Sequence, residues 1–167
     1  ESGMLRIRSD WCDVADLIAV IAQRVRPLFL KHELIVDVAP DLPLVRMDYV
    51  LIEQALLNLL HNAAAYTPPG TRVRLTAFRD GDHLAVVVAD RGPGLPAEAL
   101  DRIFEKFFRV QGAVAGGTGL GLSIARGIVE AHGGTLTAEN RARGGARFIV
   151  RLPMSTPPKT PEESLRD

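Results

Sequence analysis

Cysteine is almost missing from this chain: Cys12 is the only one in 167 residues. An internal disulfide is therefore excluded. No Cys/His cluster has metal-ligand spacing either, which argues against a structural zinc site and points to a reducing, cytosolic setting. Charge of one sign is lacking too, with 20 Lys and Arg against 20 Asp and Glu. No basic excess directs the chain to nucleic acid or an anionic membrane, so any phosphate binding must be local. No apolar run reaches the roughly 18 residues of a membrane helix, and Glu1-Ser2-Gly3-Met4 carries no signal-peptide pattern. Internal repeats are absent. What is plentiful is apolar side chain, 47% of the whole, in a chain the length of one ordinary domain with a real core.

From Val14 to Leu30 the apolar residues Val14, Leu17, Ile18, Ile21, Val25, Leu28 and Phe29 recur at helical spacing behind Asp13, a suitable N-cap. Short strands are predicted at 34–38 and 44–45, around the turn Pro40-Asp41-Leu42-Pro43. A second helix is predicted from about Asp48 to Ala65, ended by Pro68-Pro69-Gly70. Val73, Leu75 and Ala77 alternate with polar residues, and Asp80-Gly81-Asp82 turns the chain into the apolar run 84–89, which makes a hairpin. Residues 91–119 read as a long glycine-rich loop around a short helix, and loops of that length in compact domains are usually functional or disordered. A third helix, Leu120 to His132, precedes a closing hairpin of 135–139 and 147–152. The expected fold is α/β, with three helices on one mixed β-sheet. The tail from Ser155, rich in proline and charge, is expected to be disordered.

Three features point to chemistry. In the otherwise apolar second helix, Gln54, Asn58, Asn62 and Tyr66 fall four residues apart on one face. A buried amide without a partner costs about 1–3 kcal/mol, so a row of them implies something polar against it, either a ligand or neighbouring backbone. Asp90-Arg91-Gly92-Pro93-Gly94 follows an apolar strand directly. Its glycines permit close approach of backbone to a ligand, and Asp90 is placed to accept a hydrogen bond from an exocyclic amine. Gly116-Gly117-Thr118-Gly119-Leu120-Gly121-Leu122 runs into a helix N-terminus, where free N–H groups and the helix dipole favour an anion. The spacing fits neither the Walker pattern nor the dinucleotide fingerprint. Between the glycine clusters, Phe104-Glu105-Lys106-Phe107-Phe108-Arg109 suggests a loop that packs down, with Lys106 and Arg109 available to phosphate.

Together these residues resemble a known family. Glu53, Asn58, Asn62, Ala63, Tyr66, Thr67 and Pro68 look like the N box of bacterial sensor histidine kinases. Residues 90–94 look like the first glycine box, 104–109 like the F box and 117–122 like the second glycine box. The four occur in family order, over roughly residues 13–153. The resemblance implies a two-layer Bergerat-type sandwich, shared with gyrase, Hsp90 and MutL ATPases, with ATP and Mg²⁺ between the N-box helix and a mobile lid at about 96–118. By position, Asn62 would bind Mg²⁺ and Asn58 would contact phosphate or metal. Tyr66 would pack beside the base and Asp90 would hold the adenine amine. Gly92 and Gly94 would admit the nucleotide. Gly117, Thr118, Gly119, Leu120 and Gly121 would bring N–H groups to the phosphates, with Lys106 and Arg109 as cations. The stretch 126–134, with 138–141 and 144–146, looks most like potassium-responsive KdpD-type sensor kinases.

Two departures stand out. Many family members carry Lys or Arg three residues after the second N-box Asn, where this chain has Ala65, so one phosphate contact is missing and weak binding is predicted. Related ATPases place a water-activating Glu where this chain has Gln54. An amide cannot accept that proton, which favours phosphoryl transfer over hydrolysis, with Gln54 and Arg109 as the catalytic candidates. Lys31-His32-Glu33-Leu34 imitates the phosphoacceptor motif, yet the residues after it alternate like a strand. His61, His83 and His132 are read as structural or merely exposed. The acceptor is expected on a dimerisation domain outside the chain, with residues 1–12 as the end of its linker, 13–154 as the catalytic ATP-binding domain and 155–167 as the tail. Expected partners are that domain and a cognate response regulator. The isolated chain is expected to be a monomer, and its parent a homodimeric inner-membrane sensor with this domain in the cytoplasm. Two competing expectations are a GHKL-type ATPase with rapid hydrolysis, and a degenerate nucleotide-sensing or interaction module without turnover.

Overall fold

The computed structural model describes residues 5–110 and 119–156. The first helix, α1 (Val14–Val25), starts where Asp13 accepts a hydrogen bond from the Asp16 N–H at 3.3 Å. It stops earlier than the apolar spacing predicts. Residues Arg26–Phe29 tighten into a 3₁₀ turn, because Pro27 has no N–H to give to the preceding turn and its ring crowds that turn. Leu30, at the end of the predicted helix, is exposed. Before α1, Asp10–Cys12 forms a short strand, β1, paired antiparallel with β3 (Val45–Met47). Residues 10–12 are expected from the sequence to end a linker. They are instead part of a two-stranded ribbon, and Cys12 and Met47 are buried in the common core.

The main sheet has five strands: β2 (Glu33–Val38), β4 (Arg72–Asp80), β5 (His83–Asp90), β6 (Thr135–Asn140) and β7 (Ala146–Pro153). Their order is β2-β4-β5-β7-β6, parallel between β2 and β4 and antiparallel elsewhere. Alternation sets its inner face. Val73, Leu75 and Ala77 of β4, Leu84, Val86 and Val88 of β5, and Phe148, Val150 and Leu152 of β7 are all buried. Asp80 and His83 pair across a two-residue turn in which Gly81 has φ +60°, the left-handed conformation that its first position demands.

Two longer helices join α1 over that face: α2 (Tyr49–Tyr66) and α4 (Gly121–Ala131). Ile52, Ala55, Leu56, Leu59, Leu60 and Ala63 of α2 are buried, and α2 packs against α4, whose Ala125, Ile128 and Val129 are buried too. Each fully buried Leu or Ile contributes about 1.5–3 kcal/mol. Truncating Leu59, which is fully enclosed, would therefore cost about 2–5 kcal/mol. A single-turn helix, α3 (Ala97–Leu100), lies in the predicted long loop. The architecture is the expected two-layer α/β sandwich, with the C-terminal half of α2 laid over the end of β5.

Candidate functional site

That overlap makes a narrow cleft lined by Asn62, Ala63 and Tyr66 of α2 and Thr67 just after it, by Asp90 at the end of β5 with Gly94 and Leu95 beyond, and by Ala146 and Phe148 of β7. Asp90 is 7% exposed, the most enclosed carboxylate described. Its Oδ1 accepts two backbone N–H groups, Gly92 at 2.8 Å and Ala146 at 3.2 Å. Its Oδ2 makes no bond to protein among the described residues. One oxygen is thus fixed by the fold and the other is left to accept from an amino group in the cleft. Gly92 is required by crowding, because a Cβ there would lie 2.9 Å from Cγ2 of Thr67.

Asn62 and Tyr66 face the cleft one helical turn apart. The Tyr66 hydroxyl is enclosed without a well-formed hydrogen bond among the described residues. Burial pushes its pKa up, against smaller opposing effects of the Val110 backbone and the Arg109 charge. Arg109 therefore stands near Tyr66, although its own side chain is exposed. Asn58, a turn earlier, donates from Nδ2 to the Gly121 carbonyl at 3.1 Å. A carbonyl can only accept, so the amide orientation is settled, and Oδ1 is turned to the other side. This bond ties α2 to the first residue of α4. Among the described residues no side chain caps that end of α4, and the first N–H groups of a helix are open to solvent or an anion where nothing caps them. Leu120 is the capping residue, and its carbonyl accepts from Ser123 Oγ and Ile124 N.

The F-box residues divide. Phe104 stacks edge-on against Phe148 at 6.2 Å, with the Arg126 guanidinium over its other side. Phe107 is 69% exposed with φ +66°, and its N–H donates to the Gly119 carbonyl at 2.8 Å. A side chain on Gly119, itself at φ +77°, would come within 2.7 Å of Phe107 Cα. The F-box turn and the second glycine box are therefore in backbone contact.

The fold brings Asn62, Tyr66, Asp90 and Gly94 into one cleft and keeps Gly92 beside them, while Asn58, a turn before Asn62, is bonded to Gly121, and Gly119 to the F-box turn. Gln54, Lys106 and Arg109 are exposed and lie outside the cleft lining. Gly117 and Thr118 lie outside the described residues. Glu53, the first N-box residue, faces away and pairs with Arg24 of α1 at 3.0 Å. His32 is held at Nε2 by Thr67, and His132, expected to be structural or exposed, is held by Ile128 and Asp48. The β6–β7 turn was missed as part of the site. Asn140, Arg141 and Ala146 all hold the cleft wall, and the sequence marked this turn only by the pair Gly144-Gly145, both at positive φ, and by the resemblance of 138–141 and 144–146. No group of three or more His, Cys, Asp or Glu fit to hold a metal occurs among the described residues.

The family described as histidine kinase-, DNA gyrase B- and HSP90-like ATPases matches residues 47–156, well over half the chain. The chain belongs to that family. The sensor protein KdpD of Escherichia coli is 38% identical over 164 residues, covering 97% of this chain but 18% of that protein. This chain therefore spans about a fifth of its relative. Among solved structures, the mycobacterial sensor histidine kinase MprB superposes with a TM-score of 0.78 at 31% identity, covering 89% of this chain and all of that one. ShkA in complex with AMPPNP gives 0.80 at 30%, covering 92% of this chain and 33% of that one. The fold is thus that of sensor histidine kinase catalytic domains. No described helix is long and apolar enough to cross a membrane.

Proposed function

We propose that residues 13–154, together with β1 before them, are the catalytic ATP-binding unit of a two-component sensor kinase. In this reading it binds Mg-ATP and donates the γ-phosphoryl group to a histidine on a dimerisation domain, from which a response regulator is phosphorylated. The observation that carries it is the Asp90 carboxylate, pinned through Oδ1 and without a protein partner at Oδ2 among the described residues, in a cleft that it shares with Asn62 and Tyr66 of α2. Asp90 accepts from the adenine amine while Tyr66 and Leu95 enclose the ring. Asn58 and the α4 N-terminus lie where the phosphates would run. Asn62 offers one neutral amide oxygen to the metal, which suits Mg²⁺, an ion that keeps several waters and takes most other ligands from phosphate. When bound, Mg²⁺ neutralises phosphate charge as the transfer proceeds.

Gln54 is exposed and outside the cleft lining, which supports transfer to a protein side chain over hydrolysis. Arg109 and Lys106 are proposed as phosphate cations that reach the cleft from the F-box turn. The 38% identity to KdpD supports placing the parent among potassium-responsive, membrane-anchored, homodimeric sensors. Calorimetric titration with a nonhydrolysable ATP analogue and Mg²⁺ tests the binding step. Micromolar to submillimolar affinity that disappears in Asn62→Ala and Asp90→Ala is expected. No binding at millimolar nucleotide in the unaltered chain overturns the assignment.

A further inference from the structure

The segment that closes the cleft beyond Asp90 has almost no means of holding itself. Gly92-Pro93-Gly94-Leu95-Pro96 contains two prolines without N–H groups and two glycines with little conformational preference. Among the described residues, no main-chain hydrogen bond reaches the stretch from Gly92 to Leu95. Its anchor is a side chain from the far edge of the sheet. Asn140, the last residue of β6, accepts from the Leu95 N–H through Oδ1 at 2.8 Å and donates from Nδ2 to the Leu95 carbonyl at 2.7 Å. One carboxamide thereby satisfies both main-chain groups of a single residue, as a neighbouring strand would. Gly94 fits this clamp tightly, because a Cβ there would lie 3.0 Å from Asn140 Oδ1.

The same β6–β7 turn grips the other end of the segment. Arg141 donates from Nη1 to the Asp90 carbonyl at 3.1 Å, and Ala146 N–H holds the Asp90 carboxylate. Gly145 lies so close that any side chain would strike the Asp90 carbonyl. The distance between the Asp90 carboxylate and the Leu95 side chain is therefore set by one rigid turn, 45 residues or more away in sequence. A base that must meet a fixed acceptor and an apolar wall together gains affinity when both are in place beforehand.

We infer that Asn140 is a positioning residue for the nucleobase: it acts through the Leu95 backbone to hold the cleft at the width of adenine beside Asp90. This rests on the ATP-binding assignment. The test uses the whole chain with Asn140→Ala and with Asn140→Ser, whose hydroxyl replaces one of the two bonds. Hydrogen exchange without nucleotide reports the clamp, and titration with nonhydrolysable ATP and GTP analogues reports its consequence.

In Asn140→Ala, the Leu95 amide is expected to exchange at least tenfold faster while Val86, in the middle of β5, is unchanged. ATP-analogue affinity is expected to fall about tenfold with little change for the GTP analogue, so the preference for adenine falls by the same factor. Asn140→Ser is expected to fall between. A general loss of stability would lower both affinities together and leave their ratio intact. An unchanged ratio in a folded variant overturns the inference. If Asn140→Ala exposes Val86 as well, the serine variant decides by the same ratio. Failure of the unaltered chain to bind either analogue overturns the ATP-binding assignment itself and the inference with it, whereas adenine binding that ignores Asn140 overturns the inference alone.

Discussion

The backbone N–H of Asp48 donates to Nε2 of His132 at 3.0 Å, joining the start of α2 to the end of α4. The other ring nitrogen, Nδ1, lies 2.8 Å from the Ile128 carbonyl and must carry the proton. Both neighbours are thus satisfied by one neutral tautomer. The two helices that carry Asn58, Asn62 and Gly121 are fastened here, at the end remote from the cleft. His132→Ala leaves the Asp48 N–H and the Ile128 carbonyl without this partner. It is expected to lower unfolding free energy in urea by about 1–3 kcal/mol. A loss below about 0.5 kcal/mol, the level of an ordinary surface change, would show that water replaces the ring without cost.

Asp48 also carries an acid-side contribution to stability. Burial alone would raise its pKa, but the backbone N–H groups of Arg8 and Leu51 outweigh that and hold it below the ordinary carboxylate value. A depressed folded pKa means that the stabilisation is complete above the unfolded pKa of about 3.9 and is lost as pH falls through the folded value. Asparagine caps helices as well as aspartate does, so Asp48→Asn removes the charge and keeps the cap. The stability difference between the two proteins should be largest near neutrality and shrink below about pH 4. A difference that stays constant down to pH 3 would assign the effect to geometry rather than to ionisation.

At Asp90 the two oxygens have different duties, and one substitution separates them. Asp90→Asn retains an oxygen for the Gly92 and Ala146 N–H groups but turns an NH₂ toward the cleft, donor against donor for adenine. The fold should survive while ATP-analogue affinity falls at least ten- to a hundredfold, the range of a lost hydrogen bond to a charged group. Circular dichroism with calorimetry checks both halves. Unchanged affinity in the folded variant would mean that Oδ2 is not the base acceptor.

How far the sequence revealed this site depends on the range of the forces involved. The stripe of Asn58, Asn62 and Tyr66 was legible because helical spacing alone puts these residues on one face, and Asp90 because a strand's end and two glycines mark a turn. β1 was not legible. Asp10-Trp11-Cys12 is too short to show alternation, and only pairing with Val45–Met47 makes it a strand. The true end of α1 lay in Pro27, whose effect outweighs the apolar period that runs through it. Asn140 entered only within the resemblance of 138–141 and with no role, since its amide acquires meaning only when β6 sits two strands from β5 and faces Leu95.

Ala65 is where the chain departs from the cationic pattern of its family, and the fold leaves room to restore it. The residue is exposed, one position before Tyr66 and three after Asn62. Lysine there would displace no contact, and the two residues differ little in helix propensity. If the phosphates run along this face of α2 toward α4, Ala65→Lys should tighten ATP-analogue binding up to about tenfold at low salt, the low end of a charge-assisted hydrogen bond. The gain should shrink as ionic strength rises, because an exposed cation is screened within about 10 Å at 0.1 M salt. Ala65→Glu should weaken binding by a comparable factor. Titration of the three proteins at two salt concentrations decides the matter: affinities equal within about twofold, the spread of a distant surface change, would place the phosphate path away from α2 and toward Lys106 and Arg109.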